Sequence, residues 1–127
     1  MDVTEHKRLA AAGELLRALA APMRIAIVAE LAGGGVRCVH QLVDALDAPQ
    51  PLVSQHLRVL RMAGVVHGSR RGRETEYTLT DDHIAHIVAD AVTHANEPVA
   101  APSAGEPTTG DPATNTGAST GSTGTPR

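Results

Sequence analysis

Past Glu97 the chain offers almost nothing that a fold could bury: EPVAAPSAGEPTTGDPATNTGASTGSTGTPR is dominated by Pro, Gly, Ser, Thr and Ala. A segment of that composition cannot recover the entropy lost on ordering its backbone, so residues 98–127 are expected to form a disordered tail. Residues 1–97 of the 127 are left to build one domain, with no room for a second core. That domain must be packed without Phe or Trp and with the single Tyr77, so Leu, Val, Ile and Ala carry its interior. A core so small gains much from association with a second copy of the chain.

No basic segment followed by an apolar run opens the chain, and no apolar stretch approaches 18 residues, so secretion and membrane insertion are not expected. Cys38 is the one cysteine. It excludes an internal disulfide framework, points to a reducing cytoplasmic setting, and leaves a disulfide between chains open.

Apolar spacing predicts five helices and one hairpin. His6 to Ala20 places Leu9, Ala12, Leu15, Leu16 and Leu19 on one face and closes before Pro22. Pro22 suits the first position of the next helix, MRIAIVAEL, which Gly33, Gly34 and Gly35 end. Cys38 to Leu46 reads as a short third helix with Val39, Leu42, Val43 and Leu46 inward, and Asp47 to Pro51 as a turn. The fourth helix starts near Gln50 or Pro51, offers Leu52, Val53, Leu57, Leu60 and Met62 for packing, and stops at Gly64. After it, VVHGSRRGRETEYTL alternates apolar and polar residues on both sides of an Arg and Gly turn, the pattern of strand, turn and strand. A fifth helix follows Thr80.

The formal net charge of −3 hides an uneven distribution. From Pro49 to Arg73 the chain carries Arg58, Arg61, Arg70, Arg71 and Arg73 with no Asp or Glu. A local basic face matters more to phosphate binding than the total charge. The third and fourth helices, joined by a tight turn, make a helix-turn-helix whose second helix presents Ser54, Gln55, His56, Arg58 and Arg61 on its polar side. A plain helical hairpin would share that description. The basic hairpin directly behind it favours a winged helix-turn-helix, in which Arg70, Arg71 and Arg73 reach phosphates or the minor groove. The expected fold class is therefore mainly α with a small β-hairpin, and dimeric.

The fifth helix carries Asp81, His83, His94 and Glu97, a set of donors for one metal ion that a single helix cannot bring together. At a rise of roughly 1.5 Å per residue, His83 and His94 stand about 16 Å apart along the axis. Two antiparallel copies across a two-fold axis would set Asp81 and His83 of one chain against His94 and Glu97 of the other, giving two symmetric sites. Imidazole and carboxylate together suit zinc best, with cobalt and nickel harder to exclude. His86, one turn after His83, is an alternate ligand. Without metal, the same residues would be a solvated stripe, with Thr80 or Asp81 as a cap.

The segments LLRALAAPMRIAIVAEL, CVHQLVDALDAPQPLVSQHLRVLRMAGVV, RRGRETEYTL and DDHIAHIVADAVTHANE resemble the ArsR/SmtB family of metal-responsive repressors, over roughly Gly13 to Glu97. The spacing D-x-H, ten residues, then H-x-x-E is similar to the zinc site of the SmtB-like branch. The resemblance implies cytosolic homodimers on imperfect palindromic operator DNA, loosened by metal. It places Ser54, Gln55, His56 and Arg58 on the recognition helix and Arg70 to Arg73 on the wing. It also implies a second metal site in some relatives, built from cysteines at the start of the third helix and in the amino-terminal arm. Here Cys38 and His40 remain, Gln41 stands in place of a carboxylate, and the arm offers His6 but no cysteine, so a complete second site is not expected.

The function expected is that of a zinc-sensing transcriptional repressor, with cobalt or nickel as other effectors. A winged-helix regulator that does not sense metal, or one that responds to thiol chemistry at Cys38, is the alternative. An enzyme is not expected, since four protein ligands leave zinc no open position and no nucleophile and base pair or Gly-rich phosphate loop is present.

Overall fold

A computed structural model describes residues 1–98; most of the expected tail, residues 99–127, lies outside the described residues. The elements run α1 (Val3–Leu19), α2 (Pro22–Gly34), β1 (Arg37–Cys38), α3 (Val39–Leu46), α4 (Gln50–Met62), β2 (Val66–Arg71), β3 (Glu74–Leu79) and α5 (Asp82–Asn96). Residues Met1–Val92 form one compact unit, and the second, from Thr93, is described here through the end of α5 and the residues up to Pro98. No helix among the described residues is long and apolar enough to cross a membrane.

Local chemistry sets most boundaries. Asp2 caps α1, its carboxylate accepting from the Glu5 backbone N–H at 2.7 Å, which starts that helix earlier than His6. Pro22 occupies the first turn of α2, where its missing N–H costs nothing. Asp47 sits in the left-handed region at φ 51° and turns the chain from α3 into α4. At the end of α4, Gly64 N–H donates to Arg61 O at 3.0 Å and Val65 N–H to Leu60 O at 2.9 Å. This paired closure requires a positive φ at Gly64, which is 76°.

The strands make one antiparallel sheet in the order β1-β3-β2. Gly72 and Arg73 form the two-residue turn between β2 and β3, with Arg71 facing Glu74 across it. The sequence reading expected a hairpin alone. The third strand, β1, pairs Arg37 with Tyr77 and Cys38 with Glu76, and Cys38 is the residue before α3 rather than its first.

One aliphatic core joins Leu19, Ile27, Val28, Leu31, Leu42, Val53, Leu57, Leu60, Val65, Val66, Ile84 and Val88. Among the described residues no polar or charged residue is buried. Several side chains expected to pack inward do not. Leu9 is 52% exposed, Leu16 54% and Met62 75%, and Leu52 is also exposed. Much of the apolar face of α1 is therefore left uncovered among the described residues.

Candidate functional site

Helix α4 buries Val53, Leu57 and Leu60 and thereby turns Ser54, Gln55, Arg58 and Arg61 outward as a polar, basic surface. His56 differs. It is half-buried, with its Nδ1 3.2 Å from the Arg24 guanidinium of α2. Arg24 in turn donates from Nε to Ala18 O at 2.6 Å. A guanidinium only donates, so His56 must accept at Nδ1 and carry its proton on Nε2. Burial first, and then the Arg24 charge, lower its pKa from the ordinary 6.5. His56 thus ties α4 to the α1–α2 junction.

This tie has a pH signature. An imidazole that resists protonation only when folded leaves the unfolded chain binding more protons as pH falls below 6.5. Stability is therefore present above that pH and declines from there down to the lowered folded value. Denaturant titrations between pH 8 and 5 should show this loss, and His56→Gln, which can still accept from Arg24, should flatten it. Equal pH slopes in the two proteins would refute the assignment.

The wing exposes Arg70, Arg71 and Arg73. The stretch that is free of acids in sequence is not free of them in space. Strand β3 brings Glu74 opposite Arg71 and Glu76 opposite Ser69, and Arg71 Nη1 lies 3.9 Å from Glu76 Oε1. So exposed and long a pair holds the guanidinium weakly.

Helix α5 buries Ile84 and Val88, leaving His83, His86 and Asp90 outward. Asp81 is its cap, with Oδ1 accepting from Ile84 N–H at 3.2 Å. The same Oδ1 is 3.6 Å from His83 Nδ1. Two donors on one tetrahedral zinc stand about 3.4 Å apart, so this exposed pair already has the spacing of a half-site. In the second unit His94 and Glu97 are both exposed, and Glu97 N–H meets His94 O at 3.4 Å.

A second group lies at the start of α3. Cys38, only 6% exposed, has Sγ 3.2 Å from His40 Nδ1 and 3.6 Å from His40 Nε2. His40 Nδ1 is 3.5 Å from Glu74 Oε2. Potential ligand atoms of all three residues lie within 4.8 Å of one another. Gln41 Oε1 accepts from the Cys38 backbone N–H at 2.9 Å and from Sγ at 3.3 Å, closing the helix cap. Burial foremost, then Glu74, raises the thiol pKa above 9.0. Sequence reasoning reached Cys38 and His40 and missed Glu74, whose only signal was the pairing of β1 with β3.

The profile described as bacterial regulatory protein, arsR family, matches residues 21–67. Over 89 residues the chain is 68% identical to the HTH-type transcriptional repressor SmtB of Mycobacterium tuberculosis (strain ATCC 25618 / H37Rv), covering 70% of this chain and 65% of that protein. It thus spans slightly less than two thirds of that relative. The crystal structure of the transcriptional repressor PagR of Bacillus anthracis matches at 34% identity and a TM-score of 0.62, over 68% of this chain and 98% of that one. A homodimeric winged helix-turn-helix DNA-binding domain, Mb0332 from Mycobacterium bovis, shares the fold at 24% identity and a TM-score of 0.67, over 76% of this chain and 88% of that one.

Proposed function

The chain belongs to the ArsR/SmtB family of bacterial regulatory proteins, and from that premise we propose that it is a zinc-responsive repressor. It grips a two-fold operator as a metal-free homodimer and lets go when zinc is bound. The observation that carries this reading is the pair at the head of α5, where the Asp81 carboxylate and the His83 ring stand at ligand spacing on an exposed helix face. His94 and Glu97 are the complementary donors, contributed by the partner subunit. Dimerisation is supported by the exposed apolar face of α1 and by Met62 at the end of α4.

Ser54 and Gln55 are the residues of α4 nearest base edges, while Arg58, Arg61 and the wing residues Arg70, Arg71 and Arg73 hold phosphates. His56 acts behind them, keeping α4 in register through Arg24. Asp81 and His83 of one protomer, with His94 and Glu97 of the other, would hold a divalent ion, which would supply a cross-link between the two protomers. The residues that carry its effect to the DNA surface begin with Thr80. Its Oγ1 donates to Gly64 O at 2.7 Å and its N–H to Val65 O at 3.0 Å. The start of α5 is thereby fastened to the exit of α4, so turning α5 turns the recognition helix. Metal can regulate only by favouring one of two such arrangements.

The test is a titration of zinc, cobalt and nickel into the metal-free dimer bound to a duplex that it has selected from a random pool. Coupling of about 1–3 kcal/mol should weaken DNA binding roughly 5- to 150-fold. An affinity that none of the ions changes would overturn the sensor reading, and failure to select any duplex would overturn the repressor reading.

A further inference from the structure

We propose that the contact between His56 and Arg24 is a latch that holds the recognition helix in its DNA-gripping position, and that a proton taken up by His56 opens it. Acid then releases the repressor from its operator by a route that uses none of the α5 donors. The inference rests on the DNA-binding reading above but not on the metal-sensing one. Three elements meet at the latch. Arg24, in the first turn of α2, donates from Nε to Ala18 O near the end of α1 at 2.6 Å, and its Nη1 reaches His56 Nδ1 in the middle of α4 at 3.2 Å. One guanidinium thus fixes the recognition helix to the α1–α2 junction.

The contact tolerates one state of the ring. Every guanidinium N–H donates and none accepts, so Nδ1 must offer a lone pair. An imidazolium donates from both nitrogens, and protonation therefore replaces a hydrogen bond with two cations in contact. No carboxylate stands by to absorb the charge: among the described residues Arg24 is the one charged group against the ring. On α1, Glu14 and Arg17 pair with each other at 2.7 Å, Glu5 and Arg8 do the same, and His6 and Lys7 lie near its start. On α2, Glu30 lies 3.9 Å from Arg37. His40 and Asp44 of α3, His67, Arg70 and Arg71 of β2, and Arg58 and Arg61 of α4 itself make no contact with His56.

Opening the latch is felt at the DNA surface because the ring sits directly behind it. Gln55 precedes His56, Ser54 and Arg58 lie two residues to either side, and all three are exposed. Along the same flank α4 is thinly packed. Val59 is exposed, and a groove of about 750 Å³, lined by Leu15, Ala18, Val59 and Arg24 among others, runs between α1 and α4. Val53, Leu57 and Leu60 anchor the core side of the helix, so the flank facing the groove is the one free to shift. Burial and the Arg24 charge lower the pKa of the latched ring from 6.5, so the open state takes up the proton more readily. DNA affinity should accordingly fall as pH drops below about 6.5.

The test is the affinity of the full-length protein, between about pH 7.5 and 5.5, for the duplex it selects from a random pool, at fixed salt and with a chelator present. Circular dichroism at each pH confirms that the protein read is folded. A general gain of positive charge in acid strengthens phosphate binding in every variant alike, so the quantity read is the ratio to His56→Gln, which keeps an acceptor and takes up no proton. That ratio should fall about three- to tenfold across the range. Arg24→Gln should bind more weakly at the upper pH and lose the acid dependence; should it fail to fold, His56→Gln decides alone. Nuclear magnetic resonance adds a signature that a merely structural histidine lacks: the His56 ring should titrate at lower pH in the DNA complex than in the free protein, against the pull of the phosphates. Parallel affinity profiles for the unaltered protein and His56→Gln, or a ring titration that DNA does not lower, would overturn the latch and leave the metal reading standing. A protein that selects no duplex would take the latch and the repressor reading down together.

Discussion

A dimer assembled from one His94→Ala chain and one Asp81→Asn chain is expected to bind one zinc ion tightly, whereas neither parent homodimer binds any with native affinity. The asymmetry follows from sharing. In the proposed geometry each site would take Asp81 and His83 from one protomer and His94 and Glu97 from the other, so the mixed dimer would hold one doubly damaged site and one intact site. Asparagine is the instructive replacement at Asp81, because that carboxylate also caps α5 through Ile84 N–H. Asn caps as well as Asp but ligates zinc poorly, so the change removes a ligand without costing the roughly 1 kcal/mol of a lost cap. The measurement is zinc stoichiometry and affinity by competition with a chelator, made in chains that also carry Cys38→Ser so that only α5 donors are counted. Each homodimer should stay on DNA at zinc levels that release the original. A mixed dimer without a tight site would refute the cross-chain geometry, and normal zinc release in both homodimers would move sensing away from α5.

Replacing Arg71 and Arg73 by Ala should weaken binding to every duplex, whatever its sequence. In a dimer the change removes up to four phosphate contacts, so the slope of log affinity against log salt should become shallower by up to about 3.6. The accompanying loss at moderate salt should be on the order of a hundredfold. Glu76 supplies the converse. It lies 3.9 Å from Arg71 and competes with phosphate for it, so Glu76→Gln should tighten binding by less than about tenfold and steepen the slope. An unchanged slope in the double arginine variant would show that the wing does not touch the backbone.

How far each feature could be read from the sequence depended on how far away its cause lay. Pro22 and Gly64 mark helix ends because their own backbone chemistry dictates them, and both stand where expected. The strand β1 has two residues and therefore no periodicity; only Tyr77 and Glu76, about forty residues later, make it a strand. Glu74 was invisible as a neighbour of Cys38 for the same reason. His56 looked like one more polar residue on α4 until Arg24, 32 positions earlier, was found against its ring. The apolar stripe of α1 was legible, but periodicity says only that a face will be buried. Leu9 and Leu16 are half-exposed, since nothing else among the described residues covers them. The α5 residues Asp81 and His83 stand close together at the head of the helix, while their pairing with His94 and Glu97 of a second copy is a proposal that one chain does not display.

Tyr77 lines the pocket beside Cys38, His40 and Glu74, and the chain contains no other aromatic ring of the Phe, Trp or Tyr type. The protein is therefore nearly dark in the near ultraviolet, where only aromatic side chains absorb strongly, except at one place, the base of the wing. Its intrinsic emission comes from a single fluorophore set where α3, β1 and β3 meet, with no tryptophan to quench or mask it. Any event that reshapes that junction can be followed without a dye, and an event confined to α5 that leaves the junction still should leave the signal still. The colourless remainder of the molecule makes this one ring a resident optical probe, able to report whether a signal begun at the end of the chain has arrived at the wing.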